Sequence, residues 1–365
     1  MAQKILALLV GITEYPPGNQ LKGCVNDVEA VAEYLRGYYS SGEEADACIK
    51  TLTQLSAHRD NLIAVFRDHF GKLEDGDTAF FYYSGHGDQF ERPAGVYDLD
   101  GNECCQSLVC SFQAGQRKDI ADKELGAMIH DVTAGKKVFF LIITDCCHSG
   151  TITRNDEAAS KAFKEGGGAA YRHLPVNEYY GFENAVVNEN GQYEFKRGNY
   201  LHVAACRDAE KALETTFKRK WHGVLTYSML SVLRLNNGRL SYAALAQQSG
   251  IQVNTLSAYQ HIRLNDHTDL PGATELQFLN TTPVEIGKDA VINYIRGSWQ
   301  VNKGIFDQVS AGDKLVLKTG SNGDWDAKIE TVYLTHSLLN VRNTKIENKR
   351  STANIPVVIS ESAQH

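Results

Sequence analysis

Three stretches of this chain are apolar almost without interruption: ILALLVGI (5–12), the run that opens DTAFFYYSGHG (77–87), and KVFFLIITD (137–145). A strand with one wet face alternates apolar and polar side chains, and these do not alternate. They therefore read as strands covered on both faces, the signature of a mainly parallel sheet layered by helices. The intervening segments supply the helices. NDVEAVAEYLRGYY (26–39) has apolar residues at helical spacing and opens on Asn26 and Asp27, both good cap residues. SAHRDNLIAVFRDHF (56–70), with a Ser start, and ADKELGAMIHDV (121–132) follow the same pattern. ACIKTLT (47–53) and YLHVAACR (200–207) read as further strands, and GVLTYSMLSVLRLNN (223–237) and SYAALAQQSGIQVNTLSAY (241–259) as helices. The fold class expected is α/β, a three-layer sandwich around a mainly parallel sheet.

The composition shifts near 270–285, and short β-like runs split by Gly, Asn, Ser and Asp follow. Residues 285–365 are expected to form a small, barrel-like all-β domain beside a larger domain over 1–281. Between strand and helix signals lies 149–197, a patternless stretch too long for an ordinary connection and hence a candidate functional loop. The net charge of -7 argues against a nucleic-acid footprint, and no apolar run approaches a membrane span. ILALLVGI has one Lys before it and no small-residue cleavage site after it, so it reads as a first strand rather than a leader. The expected location is cytoplasmic, with the 8 cysteines reduced; their spacing fits neither a disulfide framework nor a zinc site.

Two of the buried strands end in chemically loaded turns, YYSGHG (82–87) and DCCHSG (145–150). In such sheets reactive groups gather beyond the carboxyl ends of the strands. If the two strands are neighbours, His86 meets one of the paired cysteines there. An imidazole beside a thiol makes a thiolate near neutral pH and can then protonate a leaving amine. The N–H groups of Gly87 and of the cysteine itself would suit a developing oxyanion.

YSGHG followed after about sixty residues by DCCHSG resembles the caspase/metacaspase superfamily of cysteine endopeptidases. The chain looks closer to metacaspases and their bacterial relatives, the orthocaspases, than to animal caspases. LLVGITEY…LKGCVNDVEAVAEYL, YLHVAACRDAEKALET and GVLTYSMLSVL extend the resemblance over residues 4–281. It implies that Cys147 is the nucleophile, that His86 is general base and acid, and that Gly87 and Cys147 line the oxyanion site. Cys146 and His148 are then structural. No third triad member is obvious; in the family a backbone carbonyl can orient the imidazole. Asp27 and Asp145, with Ser84 and Cys24 as walls, match the acidic pocket with which metacaspases hold Arg or Lys before the scissile bond. Two carboxylates suit a guanidinium fork. The competing reading of Asp27 is a helix cap.

The expected partners are thus protein or peptide substrates carrying Arg, less well Lys, before the cut. Self-cleavage within 149–197 has candidate sites at Arg154, Lys161, Lys164, Arg172, Lys196 and Arg197. No cofactor is required; a calcium site is not favoured, because Ala121 interrupts the family's acidic pair before Asp122 and DLDGNE fails the EF-hand pattern. The resemblance also allows a monomer, a regulatory partner at the C-terminal domain, and a part in bacterial regulated cell death or defence. The rival reading is a catalytically silent caspase-like protein that acts through its β appendage. A separase- or gingipain-like protease fits the GCVNDV segment less well.

Overall fold

The computed structural model describes residues 3–39, 41–99, 101, 103–113, 116–147, 159–161, 163, 174–236, 238–282, 290–295, 298–301, 314–318, 324–332, 337–341 and 355–359. The expectations that fall on His148, Arg154, Lys164 and Arg172 lie outside them. The chain divides into two compact units, Met1–Leu230 with Ser249–Ala273, and Ser231–Gln248 with Thr274–His365.

The first unit is built on a six-stranded sheet. It contains β1 (Ile5–Gly11), β2 (Ile49–Thr53), β3 (Thr78–Ser84), β7 (Phe139–Asp145), β11 (Tyr200–Ala204) and β14 (Arg263–His267) in the order β14-β11-β7-β3-β1-β2. Every pairing is parallel except that of β14 with β11. All seven residues of β1, β3 and β7 are buried, as expected for strands covered on both faces. Helices α1 (Cys24–Arg36), α2 (Gly42–Cys48), α3 (Arg59–Phe70) and α4 (Asp122–Thr133) connect them. On one face Phe66 and Phe70 of α3 pack on Phe81 and Phe140, with ring centroids 4.8–5.9 Å apart.

Three small sheets surround this frame. An antiparallel sheet is made of β4 (Gly87–Glu91), β5 (Cys104–Leu108) and β6 (Ile120–Ala121). β8 (Ala159–Ser160) lies beside β12 (Leu213–Phe217), which pairs in turn with β13 (Lys220–Gly223), and β9 (Val186–Val187) pairs with β10 (Tyr193–Glu194). Two more helices follow in the chain, α5 (Val224–Leu235) and α6 (Tyr242–Leu256). No helix among the described residues is long and apolar enough to cross a membrane.

Several local expectations shift. Helix α1 opens at Cys24 with Gly23 at its cap, and no side chain caps it, so neither Asn26 nor Asp27 plays that part. α3 is capped by His58, whose ring accepts from the Asn61 N–H, whereas Ser56 belongs to a preceding 3-10 turn. Residues 47–48 finish α2 before β2 begins at Ile49.

The second unit contains a closed barrel of β15 (Ala290–Ile295), β16 (Ser298–Val301), β17 (Lys314–Lys318), β18 (Asp324–Val332), β19 (Ser337–Val341) and β20 (Ile355–Ile359), in the order β15-β16-β19-β18-β17-β20. All its pairings are antiparallel, and Ile292, Trp299, Val301, Ala327, Ile329 and Leu339 are buried in it. Closure leaves no unpaired strand edge to template aggregation.

Candidate active site

Strand register brings the loaded turns together. β1, β3 and β7 lie side by side with Gly11 opposite Ser84 and Ser84 opposite Asp145. His86 is two residues beyond Ser84 and Cys147 two beyond Asp145, so the parallel strands deliver both to the same end of the sheet. The junction is tight. A Cβ on Gly87 would collide with the Cys147 carbonyl, and one on Gly85 would meet the Tyr83 hydroxyl at 2.5 Å and that of Tyr15 at 2.7 Å. The glycines of SGHG therefore admit neighbouring protein as well as a ligand.

Tyr15 and Tyr83 fix the His86 backbone. The Tyr15 hydroxyl accepts from the His86 N–H at 3.0 Å and donates to Val109 O at 3.0 Å, while Tyr83 donates to His86 O at 2.7 Å. The ring is oriented by a main-chain carbonyl, His86 Nε2 to Asn19 O at 2.6 Å. A carbonyl only accepts, so Nε2 carries the proton and Nδ1 keeps its lone pair. Nδ1 is buried and without a hydrogen-bond partner among the described residues. Burial pulls the His86 pKa down to about 4, so the imidazole is neutral at neutral pH.

The two adjacent cysteines have different surroundings. Cys146 belongs to the main apolar core, and burial pushes its thiol well up. Cys147 Sγ accepts from the Ala212 N–H at 3.0 Å and lies 3.3 Å from Ala212 O, with Ser160 Oγ at 3.9 Å. Burial opposes ionisation of Cys147, yet hydrogen bonds from Cys206, Ser160 and Ala212 outweigh it and hold the thiol below its ordinary value. No hydrogen bond joins the sulfur to His86 among the described residues; the two residues approach through their backbones.

Beside them is a closed acidic pocket with an occupant. Lys161 is 0% exposed. Its ammonium lies 2.9 Å from Ser84 Oγ, 3.0 Å from Asp145 Oδ1, 3.1 Å from Asp145 O and 3.4 Å from Asp27 Oδ2. Each carboxylate is pinned from outside the pocket. Asp27 receives the Gly223 N–H at 3.1 Å, the Ser84 hydroxyl at 2.9 Å and His222 Nδ1 at 3.0 Å. Asp145 Oδ2 receives the Thr226 N–H at 3.0 Å and its hydroxyl at 2.5 Å, which leaves Oδ1 for the cation. Burial pushes the pKa of the Cys24 thiol up. Burial works against the charge of Lys161, but the carboxylates of Asp145 and Asp27 more than offset this and leave its pKa raised.

The sequence reading missed a third carboxylate, Glu214. It accepts from the Lys22 and Gly23 N–H groups at 2.8 and 2.7 Å and feels the Lys161 charge.

Lys161 enters this pocket from an extended segment. β8 pairs antiparallel with β12, Ser160 opposite Leu213, and the Lys161 N–H donates to Ala212 O at 3.0 Å. The Lys161 carbonyl faces the Gly87 N–H at 3.4 Å. Main chain and side chain are thus held as a peptide substrate would be, with the carbonyl at the N–H expected to face an oxyanion.

The acidic loops expected to bear on calcium are matched to internal cations. Lys123 Nζ sits 2.5 Å from Asp98 and 2.9 Å from Asp122, and Arg117 binds Asp88 at 2.6 Å and also Asp119. Among the described residues no three His, Cys, Asp or Glu side chains converge as metal ligands. These residues do not fit a hard-cation site, which needs several oxygens turned to one point.

A side chain at Gly223 would disrupt the pocket, since its Cβ would collide with Asp145 Oδ2 and lie 2.6 Å from Lys161 Nζ. In a Cys147→Ala background, Gly223→Ala should expel the ammonium, and trypsin should cut after Lys161 at least about tenfold faster. An unchanged rate would contradict the burial of Lys161.

The family description "Metacaspase, peptidase C14 domain" matches residues 6–155. Metacaspase-1 of Schizosaccharomyces pombe is 26% identical over 66% of this chain and 62% of its own length. Metacaspase-1 of Mycosarcoma maydis is 37% identical over 41% of this chain and 37% of its own. The chain therefore spans less than two thirds of either relative. Protein GSU0716 from Geobacter sulfurreducens shares the fold, with a TM-score of 0.51 at 17% identity over 77% of this chain and all of that one. The matched residues hold both loaded turns, His86 after β3 and Cys147 after β7, so the similarity to the metacaspase peptidase domain falls on the part of the chain that carries the candidate site.

Proposed function

We propose that the chain is a cysteine endopeptidase that cleaves after Arg, and less well after Lys, through a dyad of Cys147 and His86. The observation that carries this reading is the buried Lys161 ammonium among Asp27, Asp145 and Ser84, with its own carbonyl at the Gly87 N–H. The pocket holds a basic side chain, and the backbone beside it is presented to the candidate nucleophile. Lys161 reaches Asp27 only at 3.4 Å. A guanidinium, with five donors in a fork, engages both carboxylates more fully, which favours Arg.

His86 Nδ1 takes the proton of Cys147, and Sγ attacks the carbonyl carbon of the residue in the pocket. The carbonyl electrons move to oxygen, facing the Gly87 and Cys147 N–H groups. Collapse breaks the C–N bond, and His86 returns its proton to the leaving amine. Water, deprotonated by His86, then releases the acyl group from sulfur. Asn19 O holds the tautomer throughout. The barrel as the seat of a regulator and a monomeric state belong to the same proposal.

The segment 159–161 makes the resting enzyme its own first substrate. Among the described basic candidates, Lys161 is the one in the pocket, and self-processing is assigned to the bond after it.

Matched fluorogenic peptides ending in Arg, Lys or Asp test the reading. Arg and Lys substrates should be cut and Asp should not, and Asp145→Ala should lower kcat/KM for the basic pair by about 100-fold or more, the cost of removing one partner from a buried charge pair. Cleavage after Asp, or full activity in Asp145→Ala, would refute it. Lys161→Ala should abolish processing at that bond and cut added Arg peptide without a lag. A persistent lag would show that Lys161 does not block the pocket.

A further inference from the structure

A second side chain of the same segment is buried against the site. Phe163, two residues beyond Lys161, is in the main core, and its ring meets four groups from separate parts of the chain. It stands edge-on to His86 at 5.5 Å and 88° and to Tyr15 at 6.3 Å and 69°, and it stacks on Phe112 at 6.2 Å and 24°. The Arg117 guanidinium lies over its face, 4.3 Å from the centroid.

These contacts have the character of a binding site. The wall nearest the chemistry is the candidate catalytic imidazole itself. A second wall is a cation over an aromatic face, an arrangement that attracts most when desolvated. Arg117 is fixed by Asp88 at 2.6 Å and by Asp119, whose carboxylate it meets through Nε at 3.0 Å. Burial works against the charge of Arg117, but these two carboxylates hold its pKa up. The guanidinium is therefore pre-organised whether or not a ring lies beneath it. The occupant sits on the stretch that departs with the leaving amine when the bond after Lys161 breaks, so this packing is given up on cleavage.

We propose that Tyr15, His86, Phe112 and Arg117 form a subsite for an aromatic side chain at the second position beyond the scissile bond. The inference rests on the reading of Lys161 as the residue before that bond. Specificity then has two anchors, a cation in the acidic pocket and a ring across the bond, with one residue between them. A ring there also shields His86 from water on the leaving side, where it must hand over its proton. Aspartate at that position is disfavoured by the aromatic walls and by the carboxylates of Asp88 and Asp119 that already flank Arg117.

Internally quenched peptides Ala-Ser-Lys-Ala-X, with X as Phe, Leu, Gly or Asp, test this on the full chain carrying Lys161→Ala and Phe163→Ala, which leaves both pockets to added substrate. A peptide ending in Lys-aminocoumarin, with nothing beyond the cut, serves as control. Phe should exceed Gly in kcat/KM by about tenfold or more, the range a filled apolar pocket discriminates. Adding Phe112→Ala should shrink that ratio severalfold. Lys161→Ala alone, with Phe163 competing, should give the same order of peptides and guards against a folding defect in the double variant. Equal rates for Phe and Gly, beside normal cleavage of the coumarin peptide, would overturn the subsite and leave the basic pocket standing. Loss of cleavage of the coumarin peptide as well would overturn both.

Discussion

The site is organised around one buried charge cluster. The Lys161 ammonium, closed off from water, has Asp145 Oδ1 at 3.0 Å and Asp27 Oδ2 at 3.4 Å. Removing either sign would leave the other buried without a partner, at a cost of several kcal/mol. Much of the surrounding structure serves to keep those carboxylates in place and satisfied. Gly223, His222 and Ser84 bond to Asp27, and Thr226 bonds to Asp145. The cluster ties α1 and the ends of β3 and β7 to β13 and the start of α5. It also drags 159–161 into a substrate-like strand beside β12. The pocket is a fold constraint, and under the proposed function it is a recognition device as well, whose resident cation leaves before another substrate enters.

The chemistry around it depends on backbone more than on side chains. Parallel register carries His86 and Cys147 to one end of the sheet. The tautomer of His86 is set by the Asn19 carbonyl, and its position by tyrosine hydroxyls bonded to its own N–H and C=O. Burial keeps the His86 imidazole neutral, and hydrogen bonds hold the Cys147 thiol below its ordinary value. In the resting arrangement the sulfur is held by Ala212, Ser160 and Cys206 rather than by the imidazole. Hydrogen bonds that tighten only when the reacting complex forms are a common feature of enzymes before turnover.

The sequence showed what repeats with a physical period or carries a distinctive side chain. Buried runs without alternation marked β1, β3 and β7, and the turns after β3 and β7 marked His86, Cys147 and Asp145. Strand β14, RLNDH, is polar and antiparallel at the sheet edge, so no apolar pattern announced it. Asp27 allows two readings in the sequence, pocket carboxylate and helix cap, because both parts use the same residue types; its side chain turns to Gly223 and His222 and caps nothing. Asn19 acts through a carbonyl that every residue possesses, so its part is invisible in one-letter code. Glu214 sits in a strand that reads like any other half-buried strand. Nothing around Lys161 distinguishes it from five other basic candidates, since its role comes from a pairing between segments more than fifty residues apart.

The central claim, that Lys161 is held as the residue before the bond to be cut, is tested most directly by the ends of the processed chain. Purified protein would be incubated without added metal, and the new amino terminus and the intact masses determined, beside Cys147→Ala. A single early cut that exposes Ala162 as the new terminus, absent from Cys147→Ala, is the predicted result. Processing that begins elsewhere while Lys161–Ala162 stays intact, or that persists in Cys147→Ala, would contradict the account.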